Sequence, residues 1–260
     1  MIRGLDLFRE HFAPVKGTFV LIGGVACHEW LATQELPFRA TKDMDVVLIA
    51  EALDPAFVKR FWEFIDAGKY QARFQADDGR QLYRFDKPDN ADFPKMIETF
   101  SRKPSNIDLG EGQEIVPIKF EGEAASLSAI LLNDDYYNLI RQQHNEEKNL
   151  PFASPAALIP LKARAYLDLT ERLKRGEEVK GDDIAKHRTD VFRIGGTLTA
   201  ESGPELPEAI RTDLRNFLSI FTPDNKEEWV AIGAGLRTTF GGTRFAPDAL
   251  IGTIQSYFKL

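Results

Sequence analysis

The apolar pattern of this chain changes character near residue 133. Before that point, apolar residues come in short runs bounded by turn formers. After it, they recur at helical spacing over longer stretches. Such an order predicts an α+β protein, with a mixed sheet and its helices over residues 1–132 and a mainly helical domain over 133–260. In the first part, helices are expected over 5–12, 25–33 and 56–67. Strands are expected over 18–22, 43–49, 70–75, 81–85, 95–100, 114–120 and 127–132, with Asp78-Gly79 as a hairpin turn. In the second part, Ser154-Pro155 reads as an N-cap followed by proline at the first helical position, opening a helix that runs to about Leu173. Further helices are expected over 182–194, 205–220, 226–238 and 247–258.

Two features in the first part bear chemistry. Gly23-Gly24 closes an apolar strand, and Asp43 and Asp45 open the next, which continues as Val-Val-Leu-Ile. Side chains alternate along a strand, so Asp43 and Asp45 share one face and Met44 takes the other. Adjacent carboxylates repel unless something positive lies between them, and oxygen donors suit a hard cation such as Mg²⁺ with its phosphate partners. The glycine pair is a tight strand-to-helix turn. The same missing side chains also let backbone N–H groups at a helix start approach a phosphate.

Composition narrows the classes. In 260 residues, hydrophobic content is 43% and charged content 28%, as in ordinary globular chains, which leaves ample material for a core. No apolar run is long enough to span a membrane, and the first residues mix charge and apolarity unlike a signal peptide. Cys27 is the single cysteine, which removes an intrachain disulfide and fits a reducing cytoplasm. The four histidines show no zinc-ligand spacing, and neither a nucleophile elbow nor a full Walker A loop occurs. A net charge of −7 disfavours wholesale clamping of nucleic acid, while leaving room for a local basic patch.

Three segments together resemble the AbiEii/AbiGii-type toxin nucleotidyltransferases of the polymerase-β-like superfamily. They are Leu21-Ile-Gly-Gly-Val-Ala26 joined to Phe38-Arg-Ala-Thr-Lys-Asp-Met-Asp-Val-Val47, then Leu158-Ile-Pro-Leu-Lys-Ala-Arg-Ala165, then Lys186-His-Arg-Thr-Asp-Val-Phe-Arg193. The likeness spans about residues 15–195. It implies a polymerase-β-like core followed by a helical domain, with a cleft between them, and a Mg²⁺-dependent enzyme that transfers NMP from an NTP. Asp43 and Asp45 would bridge two metal ions, helped by a third acid. Glu98, in Lys95-Met-Ile-Glu-Thr-Phe100, is placed first for that role, and Asp108, in Asn106-Ile-Asp-Leu109, is the alternative. Gly23, Gly24, Arg39, Thr41 and Lys42 would serve the nucleotide. Where many members carry a serine that holds the triphosphate, this chain has Val25.

The resemblance also implies that Lys162 grips the triphosphate and that Asp190 orients Lys162 or completes the active centre. From the residues alone, Lys162 reads equally as a lysine lying along a helix flank, and Asp190 as an exposed acid paired with Lys186 one turn back. Toxins of this type suggest RNA, particularly the tRNA end, as acceptor, and a cognate antitoxin as partner. An RNA surface would involve Arg172, Lys174, Arg175, Lys180 and Arg188. Two other functions are consistent with the same residues. One is transfer to a small molecule or protein, and the other is a catalytically weak nucleotide- or partner-binding module.

Overall fold

The structure, a computed structural model, describes residues 2–72, 83–102, 115–118, 127–199, 201–243 and 245–260, with the backbone alone at 72 and over 115–118 and 127–131. It is α+β and divides into two compact units, Met1–Ala26 with Ala40–Ala153, and Cys27–Arg39 with Ser154–Leu260.

The first unit opens with helix α1 (Leu5–Phe12), a 3-10 segment (Ala13–Thr18) and strand β1 (Phe19–Ile22). Helix α2 (Gly23–Thr33) follows directly and carries the chain into the second unit at Cys27. Back in the first unit come β2 (Asp43–Leu48), α3 (Pro55–Gly68), β3 (Gln71–Ala72), β4 (Arg84–Asp86), β5 (Met96–Ser101), β6 (Ile115–Ile118) and β7 (Leu127–Leu131). The unit closes with α4 (Asp134–Gln142) and a hairpin of β8 (His144–Glu147) and β9 (Leu150–Ala153).

Among the described residues nine strands form one mixed sheet, seven of them in the order β3-β4-β5-β2-β1-β9-β8. The far edge of β5 is shared, with Met96–Glu98 pairing with β4 and Phe100–Ser101 with β7, which in turn pairs with β6. β1 sits between antiparallel β2 and parallel β9, and all four of its residues are buried, which explains its unbroken apolar sequence. Helix α3 starts where the Asp54 carboxylate accepts from Phe57 N at 2.8 Å and Pro55 takes the first turn. It ends at Lys69, which is left-handed with φ 51°. Its buried face (Phe57, Phe61, Phe64) meets Phe8, Phe12 and Phe19 in an aromatic core in which Phe8 stacks on Phe12 at 4.3 Å. Each fully buried ring contributes up to about 3 kcal/mol of apolar transfer.

The second unit is helical. It contains the Cys27–Arg39 segment, α5 (Pro155–Lys174), α6 (Gly181–Gly195), α7 (Glu208–Ile220), α8 (Lys226–Phe240) and α9 (Pro247–Phe258). Tyr166, Phe192, Phe217 and Phe221 pack its centre, with Phe217 and Phe221 centroids 4.8 Å apart. Ser154 occupies the N-cap position of α5, yet its Oγ makes no hydrogen bond among the described residues. The start rests instead on Pro155 and on the Ser154 carbonyl, which accepts from Ala157 and Leu158.

The expected elements and the observed ones differ at identifiable places. α2 starts at Gly23 rather than near residue 25, so both glycines lie in its first turn. The helical unit begins at Ser154 and takes in 27–39, whereas a boundary at 132/133 was expected; the β8–β9 hairpin keeps 144–153 with the sheet. That hairpin turns on Lys148 (φ 50°) and Asn149 (φ 64°), the pair of positive φ angles that a two-residue turn requires. Lys148 carries none of the usual sequence signal for such a turn. The Asp78-Gly79 turn lies outside the described residues. No helix among the described residues is long and apolar enough to cross a membrane.

Candidate functional site

In the sheet unit, strand pairing brings the expected acids together. Asp45 on β2 is the register partner of Glu98 on β5, and Asp43 lies two residues before Asp45. Directly paired residues and i, i+2 neighbours share a sheet face, so Asp43, Asp45 and Glu98 all belong to one face. Burial follows the same alternation: Met44 is buried, Asp45 half-buried, and Asp43 exposed at the strand start.

The glycine pair is packed against this face. Gly23 is left-handed at φ 67°, and a Cβ there would lie 1.9 Å from Asp45 Oδ2. A Cβ on Gly24 would lie 2.4 Å from Thr41 Oγ1. The missing side chains therefore give room first to the Asp45 carboxylate and the Thr41 hydroxyl, at the N-terminal turn of α2. Val25 is fully buried, so its side chain belongs to the core. Lys42 is exposed.

Glu98 has a cation already. Arg84 on β4, its cross-strand partner, binds Glu98 Oε1 through both Nε and Nη2. No group of three or more His, Cys, Asp or Glu side chains arranged to hold a metal occurs among the described residues. Asp108 lies outside the described residues.

In the helical unit, a second charge cluster centres on Asp190, which is 0% exposed. Its Oδ2 accepts from Arg39 Nη2 at 2.8 Å and lies 3.5 Å from Lys162 Nζ, while Oδ1 binds Arg193. Three cations share one carboxylate, a surplus of two positive charges among these four residues. Lys162 is 5% exposed and Arg193 3%, and Arg193 also donates to Thr239 Oγ1 at 2.9 Å and to the Gly235 carbonyl at 3.0 Å. Phe38 lies beneath both Arg39 and Arg193, at 4.9 and 5.3 Å from its centroid. Burial opposes ionisation of Asp190, but Lys162, Arg39 and Arg193 outweigh it and hold its pKa below the ordinary carboxylate value.

The cluster also affects its neighbours. Burial, with the repulsion of Lys162, lowers His187 from 6.5 to about 4, so its imidazole is neutral at pH 7, and its Nδ1 has no hydrogen-bond partner among the described residues. Burial pushes the Cys27 thiol up to about 11, which leaves it an unreactive packing group.

These contacts decide between the readings left open above. Asp190 does not pair with Lys186, whose Nζ lies 2.8 Å from Asp183 instead, and Lys162 is no flank lysine but a buried partner of Asp190. Arg39 pairs with Asp190. Two residues carry contacts that sequence reading did not assign, Arg84 and Arg193. Arg193 had a signal, three residues after Asp190 on one helix face. Arg84 had none without the strand register. Of the basic helix surface, Arg172 and Arg175 both pair with Glu177, and Arg188 pairs with Glu228.

The close approach at Gly23 predicts that Gly23→Ala destabilises the protein by about 1–3 kcal/mol in denaturant titration, combining the left-handed backbone cost with displacement of Asp45. Gly17→Ala, where nothing lies within 4 Å of the added Cβ, serves as the tolerated control. His187 predicts a pH effect. Its pKa is lower when folded, so the unfolded chain binds the extra proton, and stability falls as pH drops from 6.5 towards 4. His187→Gln should flatten that part of the stability–pH curve. The stabilisation from Asp190, present above its ordinary value of 3.8, is lost only at lower pH still.

No model of a known protein family matches the chain, and no curated protein matches it. The functional reading therefore rests on the residues and their geometry.

Proposed function

We propose that the chain is a Mg²⁺-dependent nucleotidyltransferase that transfers NMP from an NTP to an acceptor hydroxyl. The observation that carries this reading is the acid face, with Asp43 and Asp45 on β2 and Glu98 in register with Asp45 on β5. An all-oxygen donor set beside a glycine-lined helix start suits a hard cation together with a phosphate. Asp43 and Asp45 would hold the metal together with phosphate oxygens of the NTP, since Glu98 is held by Arg84 and the three acids form no group that could hold a metal by themselves. When bound there, the ions would supply Lewis-acid polarisation at phosphorus and neutralise charge on the departing pyrophosphate.

The protein's own residues position these groups. Gly23 fixes the Asp45 carboxylate by letting it lie against the backbone, and Gly24 does the same for the Thr41 hydroxyl. Backbone N–H groups in the first turn of α2 are suited to an anion, because helix starts leave such donors unsatisfied. The helical unit supports the same reading independently. Its surplus positive charge around Asp190 suits a polyphosphate, and Asp190 holds Lys162 and Arg39 in fixed positions for that task.

The acceptor is proposed to be RNA, with the tRNA end first, and the chain to be the toxin-like member of a toxin–antitoxin pair. The support is the likeness of the three sequence segments. Lys174 and Lys180 are exposed, but the ion pairs of Arg172, Arg175 and Arg188 make that surface a weaker place to seek the RNA contact.

Incubating the protein with each labelled NTP, Mg²⁺ and total RNA should place label on RNA. Asp45→Asn should lower the transfer rate by roughly 100-fold or more. Transfer at near wild-type rate by folded Asp45→Asn contradicts the assignment, and label on protein instead of RNA overturns the acceptor.

A further inference from the structure

The outer side of α9 carries a groove that the proposed reaction does not use. The helix turns Leu250, Ile254 and Phe258 to the core, so Ala249, Gly252, Thr253 and Ser256 fall together on another face. These small residues floor a groove of about 610 Å³. Nothing lies within 4 Å of a Cβ built at Gly252. The facing wall comes from the chain after α6. Leu198 N donates to the Gly195 carbonyl at 3.2 Å and Gly203 N to the Tyr257 carbonyl at 2.8 Å, which ties the wall at both ends. Gly203 lies against the Tyr257 ring, since a Cβ there would stand 2.3 Å from Cε1.

The chemistry of the groove is one-sided. Among the described residues, Glu201 is the one charged side chain in its lining, and Thr199, Ser202, Ser256 and Tyr257 bring hydroxyls. The side chains of Thr199, Glu201, Ser202 and Ser256 make no hydrogen bond or ion pair among the described residues. Burial, and then the nearby Glu201 charge, raise the Tyr257 phenol above its ordinary pKa, so it stays protonated at neutral pH. Leu198 and Ala249 add apolar surface beside these polar groups.

We infer that this groove binds a small aliphatic diamine, with one ammonium on the Glu201 carboxylate and the methylene stem along Leu198 and Ala249. The second ammonium donates to the hydroxyl oxygens of floor and wall. A carboxylate with no competing cation offers the first ammonium a charge-assisted hydrogen bond. An anion meets no positive charge here, and a wholly apolar ligand would cut the carboxylate and hydroxyls off from water without replacing their partners. From Ala249 to Ser256 the floor runs about 10 Å, room for both ends of a four-carbon diamine. All of these residues lie in the helical unit and outside the Asp190 cluster, so the groove stands apart from the nucleotidyltransferase reading.

Putrescine titrated into the isotope-labelled full chain, in about 0.1 M KCl to screen general counter-ion attraction, tests this through backbone amide shifts. Saturable shifts should gather at Glu201, Ser202, Gly252, Thr253 and Ser256. Butane-1,4-diol, the uncharged analogue, should bind at least about tenfold more weakly, and Glu201→Gln should weaken putrescine by a similar factor. Glu201 is exposed, so that variant keeps the fold. Gly252→Leu has open space for its side chain and a better helix former in place of glycine, so it fills the groove and should abolish the shifts. Shifts that do not saturate, or that spread over acids elsewhere, overturn the inference, as does equal binding by Glu201→Gln. Equal binding of the diol overturns the ammonium assignment, and putrescine binding that survives in folded Gly252→Leu overturns the groove. If Gly252→Leu does not fold, Glu201→Gln and the diol decide.

Discussion

The contact on which the site depends is the Asp45 carboxylate lying against the backbone of Gly23. Any side chain at 23 would occupy the place of Oδ2, and the left-handed φ of 67° already excludes most residues. The contact joins three consequences. It lets α2 start directly from β1, and it holds Asp45 at the rim of a strand whose next three residues are buried. It also places that acid opposite Glu98 through the β2–β5 register. A slip of one residue in that register would turn Asp45 to the core and Met44 to the rim, so the burial of Met44, Val46 and Leu48 keeps Asp45 on the other face.

The helical unit is governed by a different balance. Asp190 is fully buried, and only the three cations around it make its ionised form tolerable. Removing one member of such a group leaves charges uncompensated in a dry interior, a loss of about 3–5 kcal/mol in comparable buried pairs. Through Arg193 the same carboxylate ties α6 to the Gly235 and Thr239 positions of α8, and through Lys162 it ties α6 to α5. The result is a set of cations fixed by tertiary structure rather than free to search solvent, as electrostatic preorganisation requires.

Features that depend on neighbours in sequence were legible from the residues, and those that depend on partners far along the chain were not. The shared face of Asp43 and Asp45 follows from alternation alone, and α3 announces itself through Asp54, Pro55 and its phenylalanine spacing. The partner of Asp190 was open to two readings, because Lys186 sits one helical turn away and Lys162 lies on another helix. Arg84 was invisible for the same reason, since only the β4–β5 register sets it beside Glu98. The β8–β9 hairpin escaped because β8 is charged and mostly exposed, and Lys148 takes a backbone conformation its side chain does not advertise.

The central proposal is that Asp43 and Asp45, at the start of β2 beside Gly23, take up a divalent cation. Adding substoichiometric Mn²⁺ to isotope-labelled protein and recording backbone amide spectra tests it most directly, since the paramagnetic ion broadens the signals around it. The account predicts selective broadening at Gly23, Gly24, Asp43, Asp45 and Glu98. Broadening confined to other acids, such as Asp134 and Asp135 at the start of α4, with those five signals untouched, would contradict it.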